Sequence, residues 1–312
     1  LATSGIARLV CLSIPSFSKG KITVSKAKTF AQLQYLLPQH LLSRTLGQVA
    51  SCEFSWVKNP LIKAFIKQYQ VDMSEAARPE PQAYTSFNDF FMRQLKAGAR
   101  PVDAGAHTLV SPADGVISQI GRIEDGRLLQ AKGHDFSVEA LLGGNPAEAQ
   151  TYRAGEFATI YLSPRDYHRV HMPWGGRLQQ TRYIPGRLFS VNQATTAHVP
   201  SLFARNERLV CHFDSPQGPF VMVLVGAMIV AAIETPWAGR VVPVNQSIQE
   251  TRYAQQEVQI IDLPKGAEMG RFCLGSTVIM LWPAKAQVQW QAHVQAGTPV
   301  RMGQALASLG QG

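Results

Sequence analysis

Near the C-terminus, Leu274-Gly-Ser-Thr277 places a serine directly after a glycine, inside an apolar, strand-like run from Arg271 to Trp282. That pairing suits attack by the protein on its own backbone. Gly275 has no side chain to shield its carbonyl, and glycine tolerates strained backbone angles. The Ser276 hydroxyl can add to that carbonyl and turn the amide into an ester. Elimination, then hydrolysis of the resulting enamine, would leave a pyruvoyl group at a new N-terminus. Such a ketone is suited to the carbanion-stabilising work that pyridoxal does elsewhere. Taken alone, a Gly-Ser pair is more often an ordinary turn or bulge.

Two histidines, His168 and His171, stand three residues apart in Ser163-Pro-Arg-Asp-Tyr-His-Arg-Val-His-Met-Pro173. As metal ligands they lack a nearby third ligand, and their spacing is not that of HExxH. As core histidines they would be unusual, because Arg165, Asp166 and Arg169 crowd them with charge. As acid–base groups they fit, since imidazole titrates near neutral pH. A third element, Ser111-Pro-Ala-Asp-Gly115, sets Asp114 before a glycine. That is a common turn pairing. The carboxylate could equally orient a histidine and stabilise its charged form. Asp114, one histidine and Ser276 would make a triad in the order Asp…His…Ser, aimed at the protein's own backbone. A lipid-ester hydrolase would use the same three residues, but no G-x-S-x-G elbow surrounds Ser276.

The elements that must position these groups change character along the chain. Residues 30–98 read as helical. Phe30, Leu33, Leu37 and Leu41 follow one helix face, with a break at Pro38. A second helix is expected from Asn59 as N-cap and Pro60 at its first position, carrying Leu61, Ile62, Phe65, Ile66 and Tyr69. A third is capped by Ser86 with Asp89 three residues on, and Phe87, Phe90, Phe91 and Leu95 form its apolar face. From residue 109 short Val/Ile/Leu runs alternate with Gly, Pro, Asn and Asp, the pattern of strands. The longest apolar run, Phe220 to Ile233, is too short to span a membrane as a helix and reads as a buried strand.

The net charge of +9 is uneven: residues 1–100 hold 13 Lys/Arg against 5 Asp/Glu, and no acid precedes Glu53. A basic front end calls for an anionic surface. No nucleic-acid motif accompanies it, so lipid headgroups are the better candidate. The leucines and basic residues of the first helix fit an interfacial helix as well as a packed one. Cys11, Cys52, Cys211 and Cys273 form no CxxC pair and read as free thiols of a reducing compartment. Residues 1–30 remain an uncertain extension, a signal-like stretch or a translation artefact.

Several blocks together resemble the bacterial phosphatidylserine decarboxylases: Ser111-Pro-Ala-Asp-Gly-Val-Ile-Ser, Gln130-Ala-Lys-Gly-His134, Tyr161-Leu-Ser-Pro-Arg-Asp-Tyr-His-Arg-Val-His-Met-Pro173, Leu202-Phe-Ala-Arg-Asn-Glu-Arg208 and Leu274-Gly-Ser-Thr277. The resemblance runs from about residue 31 to the C-terminus. It implies that Asp114, His171 and Ser276 are a self-cleaving triad, with His171 the base and Asp114 holding its tautomer. Cleavage between Gly275 and Ser276 would give chains 1–275 and 276–312 that stay associated, and Ser276 would become a pyruvoyl group. Phosphatidylserine would form a Schiff base with that ketone, lose carbon dioxide and leave as phosphatidylethanolamine. His168 matches a position implicated in the decarboxylation, as proton donor or carboxylate orienter. Arg169 is either part of this turn's chemistry or a structural ion pair.

The fold expected is α+β. Membrane-associating helices over 31–100 precede a mainly antiparallel β-rich catalytic domain over 101–312. The tail Gly297 to Ala307 resembles the closing strands of a biotinyl/lipoyl-type sandwich, without the lysine a carrier would modify. Expected partners are phosphatidylserine and an anionic membrane, with a homodimer left open, and the expected location is peripheral, on the cytoplasmic face of the cell membrane. A carrier module and an inactive membrane-binding relative stay open as alternatives.

Overall fold

The structure, a computed structural model, describes residues 24–36, 38–227, 232–241, 246–253, 260–273 and 276–310. Residues 1–23 of the expected extension, and Leu274 and Gly275 of the expected cleavage bond, lie outside them.

The apolar runs are strands, and their side chains alternate between two cores. Along Ser276–Trp282, Val278, Met280 and Trp282 join one buried cluster, while Ile279 and Leu281 join the other. Leu209 and Cys211 likewise face one way and Val210 the other. A sheet covered on both faces needs such continuous apolar runs. The large sheet runs, in spatial order, Gln249–Arg252, Gly176–Ile184, Arg208–Asp214, Phe220–Val225, Ser276–Trp282, Glu156–Leu162, Gly115–Arg122 and Pro299–Val300. Asp262–Leu263 also pairs with Gly176–Ile184. All these pairings are antiparallel.

Small sheets and helices cover the two faces. One small sheet orders Gly239–Val241, Ile233–Thr235, Glu268–Phe272 and Arg169–His171, so it carries both the histidine stretch and the approach to Ser276. Another sets Ala305–Ser308 between Thr108–Val110 and Gln289–Trp290. The tail therefore divides, with Pro299–Val300 in the large sheet and Ala305–Ser308 in a small one.

Among the described residues, four α-helices precede the strands: α1 (Val24–Leu36), α2 (Gln39–Ala50), α3 (Ser55–Tyr69) and α4 (Phe87–Phe91). Pro38 breaks the first run as expected. Ser86 caps α4, accepting from the Asp89 amide. The second helix differs from its expected start. It begins at Ser55, with Phe54 as N-cap, and Pro60 lies inside it. The Val57 and Lys58 amides bond the Phe54 carbonyl and nucleate the helix earlier. Asn59 does not cap; its side chain accepts from Lys58 Nζ. Pro60 then forfeits a single backbone bond near the helix start, which burial of Leu61, Ile62 and Phe65 offsets. α4 is also shorter than its apolar face suggested, and Leu95 instead bridges Ala76.

α1 and α2 dock through polar groups. The Gln34 side chain bonds the Thr195 hydroxyl and the Ser190 amide, and Gln39 accepts from the Leu188 amide. Both glutamines are buried, whereas Leu33 and Leu41 are 54% and 62% exposed. Ala31, Leu46 and Ala50 are buried as well, so the inward face of these helices mixes polar and apolar groups.

α3 and α4 meet over an aromatic cluster. Phe65, fully buried, lies edge-on to Phe87, Phe90 and Phe91. Truncating it to alanine in an uncut Ser276→Ala background should cost about 3–5 kcal/mol of unfolding free energy by denaturant titration. A loss near zero would mean the helices do not depend on this cluster.

Candidate active site

The histidine turn is built locally. The Ser163 carbonyl accepts from the Asp166 amide at 2.9 Å, with Pro164 at the second turn position that its fixed φ favours. Asp166 closes the turn by accepting from the Ser163 amide and hydroxyl, each at 2.7 Å. The turn leaves the Glu156–Leu162 strand and enters Arg169–His171. Leu162 is the register partner of Ser276. The His168 carbonyl accepts from the Phe272 amide at 3.1 Å. One turn therefore touches the chain on both sides of the Gly275–Ser276 position.

Ser276 is fully buried and its Oγ has no hydrogen-bond partner among the described residues; the same holds for neighbouring Thr277 Oγ1. An unpaired buried hydroxyl costs about 1–3 kcal/mol. Such a group in a well-paired sheet marks a place where something other than stability is served.

His171 is engaged at both nitrogens. Its Nδ1 lies 2.8 Å from the Gly266 carbonyl and its Nε2 3.0 Å from the Tyr167 hydroxyl. A carbonyl only accepts, so Nδ1 carries the proton and Nε2 accepts from Tyr167. Burial raises the Tyr167 pKa and keeps it a donor. Burial also lowers the His171 pKa, opposed by the Gly266 carbonyl.

Asp114 is not hydrogen-bonded to His171 among the described residues. Arg100 grips both its oxygens, Nε at 2.9 Å to each and Nη2 at 2.5 Å, and the Met302 amide donates at 2.9 Å. The Gly266 carbonyl thus holds the tautomer that Asp114 was expected to hold. The Asp114 charge still favours protonated His171, though it is the smallest influence on that pKa. The adjoining loop is fixed to His171 through the His171 amide and Pro112 carbonyl, 2.8 Å apart. Gly115 follows Asp114 because a Cβ there would sit 2.3 Å from the Tyr161 carbonyl.

His168 is fully buried and stacked on Phe91, ring centroids 4.0 Å apart. Among the described residues neither ring nitrogen makes a well-formed hydrogen bond, though the nearby Pro164 and Ser163 backbone favours the protonated form. Burial, helped by the charge of Arg93, pushes its pKa down to about 3. Arg169 pairs with Glu268 at 2.7 Å and donates to the Met92 carbonyl, which makes it a structural ion pair. Three consecutive residues at the end of α4 thus hold the site: Phe91 backs His168, Met92 receives Arg169, and Arg93 Nη2 donates to the Arg165 and Asp166 carbonyls. Sequence reasoning missed Tyr167 as a His171 partner, Gly266 and Arg93. Only the tyrosine, four residues before His171, carried a signal.

A cleft of about 890 Å³ reaches this region, lined by Asp114, Tyr161, Ser163, Tyr167 and Arg93 among others. A larger groove beside Trp174 touches none of the expected site residues. No group of three or more His, Cys, Asp or Glu side chains suited to a metal occurs among the described residues.

The model of the phosphatidylserine decarboxylase family matches residues 87–308, and a second model described as PSD matches residues 29–70. The chain belongs to the phosphatidylserine decarboxylase family. Among its relatives, a phosphatidylserine decarboxylase proenzyme of Pseudomonas fluorescens is 58% identical over 281 residues, covering 90% of this chain and 97% of its own. Those of Ectopseudomonas mendocina (57%, 91% and 99% covered) and Azotobacter vinelandii (55%, 90% and 98% covered) are similar at the same level.

In this family member burial lowers the pKa of both histidines below the ordinary value of 6.5, that of His168 to about 3. As pH falls below 6.5 the unfolded chain binds protons that the folded one refuses, so stability is full above that pH and declines below it. The uncut Ser276→Ala protein should lose melting temperature steadily from pH 7 to 5. Replacing His168 by phenylalanine should remove about 1 kcal/mol per pH unit of that slope. An unchanged slope would show that His168 is not held neutral.

Proposed function

We propose that the protein is a self-processing proenzyme that decarboxylates phosphatidylserine to phosphatidylethanolamine and carbon dioxide, a pyruvoyl-dependent carboxy-lyase. The observation that carries this reading, beside family membership, is the buried Ser276 hydroxyl with no partner, at the start of a central strand. An unsolvated, unbonded Oγ suits attack on the preceding carbonyl, and a water-poor strand end suits a ketone that must survive there.

Cleavage before Ser276 would separate chains 1–275 and 276–312. Their continued association is supported by the sheet: Thr277–Leu281 pairs with Val221–Val225 on one side, and Ser276–Trp282 with Glu156–Leu162 on the other. Pro299–Val300 and Ala305–Ser308 add pairings to Gly115–Val116 and Thr108–Val110. Burial of Val278, Ile279, Met280 and Leu281 contributes roughly 1.5–3 kcal/mol each. We read the antiparallel return of Ala305–Ser308 as biotinyl/lipoyl-like sandwich architecture.

His171 is assigned the base for Ser276. Its tautomer leaves the lone pair on Nε2, and that nitrogen must first be released by the Tyr167 hydroxyl. Asp114 acts through its charge, favouring the imidazolium that forms when His171 takes the proton. The pyruvoyl group derived from Ser276 supplies an electrophilic ketone that captures the substrate amine and accepts the electron pair as carbon dioxide leaves. His168, neutral and dry, is placed to orient the substrate carboxylate through an N–H or to return the proton to carbon.

A peripheral position on the cytoplasmic face of the cell membrane is assigned from the helices. No helix among the described residues is long and apolar enough to cross a membrane. Leu33, Tyr35, Leu41, Phe54 and Trp56 are exposed on the N-terminal segments, and Phe54 stacks with Trp56. Apolar side chains outward and glutamines inward, on the basic third of the chain, suit an anionic lipid surface.

Two experiments test these assignments. Ser276→Ala should stay one piece and release no carbon dioxide from phosphatidylserine, and His171→Ala should also stay uncut. Decarboxylation by Ser276→Ala would end the pyruvoyl reading, and normal cutting of His171→Ala would remove that base. Separately, the double substitution Leu41→Glu and Trp56→Glu should weaken binding to phosphatidylserine vesicles by about tenfold or more while self-cleavage proceeds. Unchanged binding would place the lipid surface elsewhere.

A further inference from the structure

Arg93 is only 3% exposed, yet it takes part in no ion pair among the described residues. The other buried arginines are satisfied. Arg100 and Arg182 each hold two carboxylates, Arg169 holds Glu268, and Arg208 donates to the Leu141, Asn206 and Ala140 carbonyls. Arg93 spends only Nη2, on the Arg165 and Asp166 carbonyls at 2.9 and 3.1 Å. Its Nε and Nη1 have no partner. The Phe90 ring supports the guanidinium at 5.5 Å, and burial pulls its pKa below the ordinary arginine value. A buried cation with free donors is kept where an anion arrives to use them.

Its place says which anion. Arg93 lines the cleft that also holds Asp114, Ser163 and Tyr167. The carbonyls that grip it belong to the turn that starts beside Leu162, the register partner of Ser276, and ends at His168. Building on the pyruvoyl reading, we propose that Arg93 anchors the phosphodiester of the lipid headgroup while the amine reacts at residue 276. The headgroup brings two anions, a carboxylate and a phosphodiester. A guanidinium on the carboxylate would stabilise the ground state of a charge that disappears as carbon dioxide leaves, and would slow the reaction. The phosphodiester keeps its charge throughout, so pairing with it costs the chemical step nothing. In the uncut chain, the free nitrogens of Arg93 are sealed from water, like both nitrogens of His168 and Oγ of Ser276. An opening that admits the amine to residue 276 brings the phosphodiester, a few bonds behind it, to Arg93.

The test uses mature wild type, Arg93→Gln and Arg93→Lys, with water-soluble glycerophosphoserine and L-serine as probes. Reductive amination with cyanoborohydride is followed as adduct mass on the 276–312 chain. Wild type should half-saturate with glycerophosphoserine at a concentration about 10–100-fold below that for serine. In Arg93→Gln that advantage should shrink to within about threefold, with serine unaffected, and Arg93→Lys should fall between. On phosphatidylserine vesicles the glutamine variant should raise KM by a larger factor than it lowers kcat, the signature of lost uniform binding. An advantage retained by Arg93→Gln overturns the proposal. So does an equal loss with serine, which would put the guanidinium on the carboxylate side. Failure of both variants to self-cleave also overturns it, assigning Arg93 to maturation. Absence of any adduct in wild type would be a different failure, that of the ketone at residue 276.

Discussion

Everything at the site depends on one constraint: Ser276, the serine proposed to react with its own backbone, begins a strand in the middle of a sheet buried on both faces. There Oγ meets neither water nor a protein partner. Dry surroundings hold an ester intermediate away from hydrolysis long enough for elimination to compete. On the proposed reading, the same burial lets a chain cut before Ser276 persist as two pieces. The segment after the cut is clamped by antiparallel neighbours on both sides.

The cost of that dryness falls on the charged groups around it, and each is handled differently. Asp114 is locked by Arg100, which Glu75 in turn shares with Arg301. His171 stays neutral with a carbonyl on one nitrogen and a tyrosine on the other. His168 stays neutral because burial outweighs the pull of the Pro164 and Ser163 backbone, with Phe91 stacked behind it and the Arg93 charge nearby. α4, only five residues long, supports much of this arrangement, because the aromatic cluster behind it fixes Phe91, Met92 and Arg93 against the histidine turn. Helix packing and site electrostatics are therefore one problem in this protein. A cavity behind α4 would be felt at His168.

Much of this was legible in the sequence, for identifiable reasons. The runs around Ile160, Val210, Val223 and Met280 are strands because the middle of a sheet buried on both faces requires largely apolar residues. Ser86 with Asp89 announced a helix start through a local hydrogen bond. The start of α3 was misplaced because Asn59-Pro60 is a strong local signal, overridden by backbone bonds to Phe54 and by burial further along. The inward glutamines of α1 and α2 were invisible, since their partners Thr195, Ser190 and Leu188 lie some 150 residues away in the chain. Asp114, His171 and Ser276 were legible as candidates by type and order. Their hydrogen bonds were not, because competition for Asp114 by Arg100 and for His171 by Gly266 arises only when distant segments meet.

The central claim is that Ser276 cuts the chain and becomes a ketone. The measurement that meets it most directly is the intact mass of the purified protein under denaturing conditions. Two chains divided after Gly275 are expected, the smaller one lighter by one ammonia than simple hydrolysis of that bond would leave it. A small chain with the full hydrolytic mass would mean cutting without pyruvoyl formation. A single uncut chain with decarboxylase activity would contradict the account altogether.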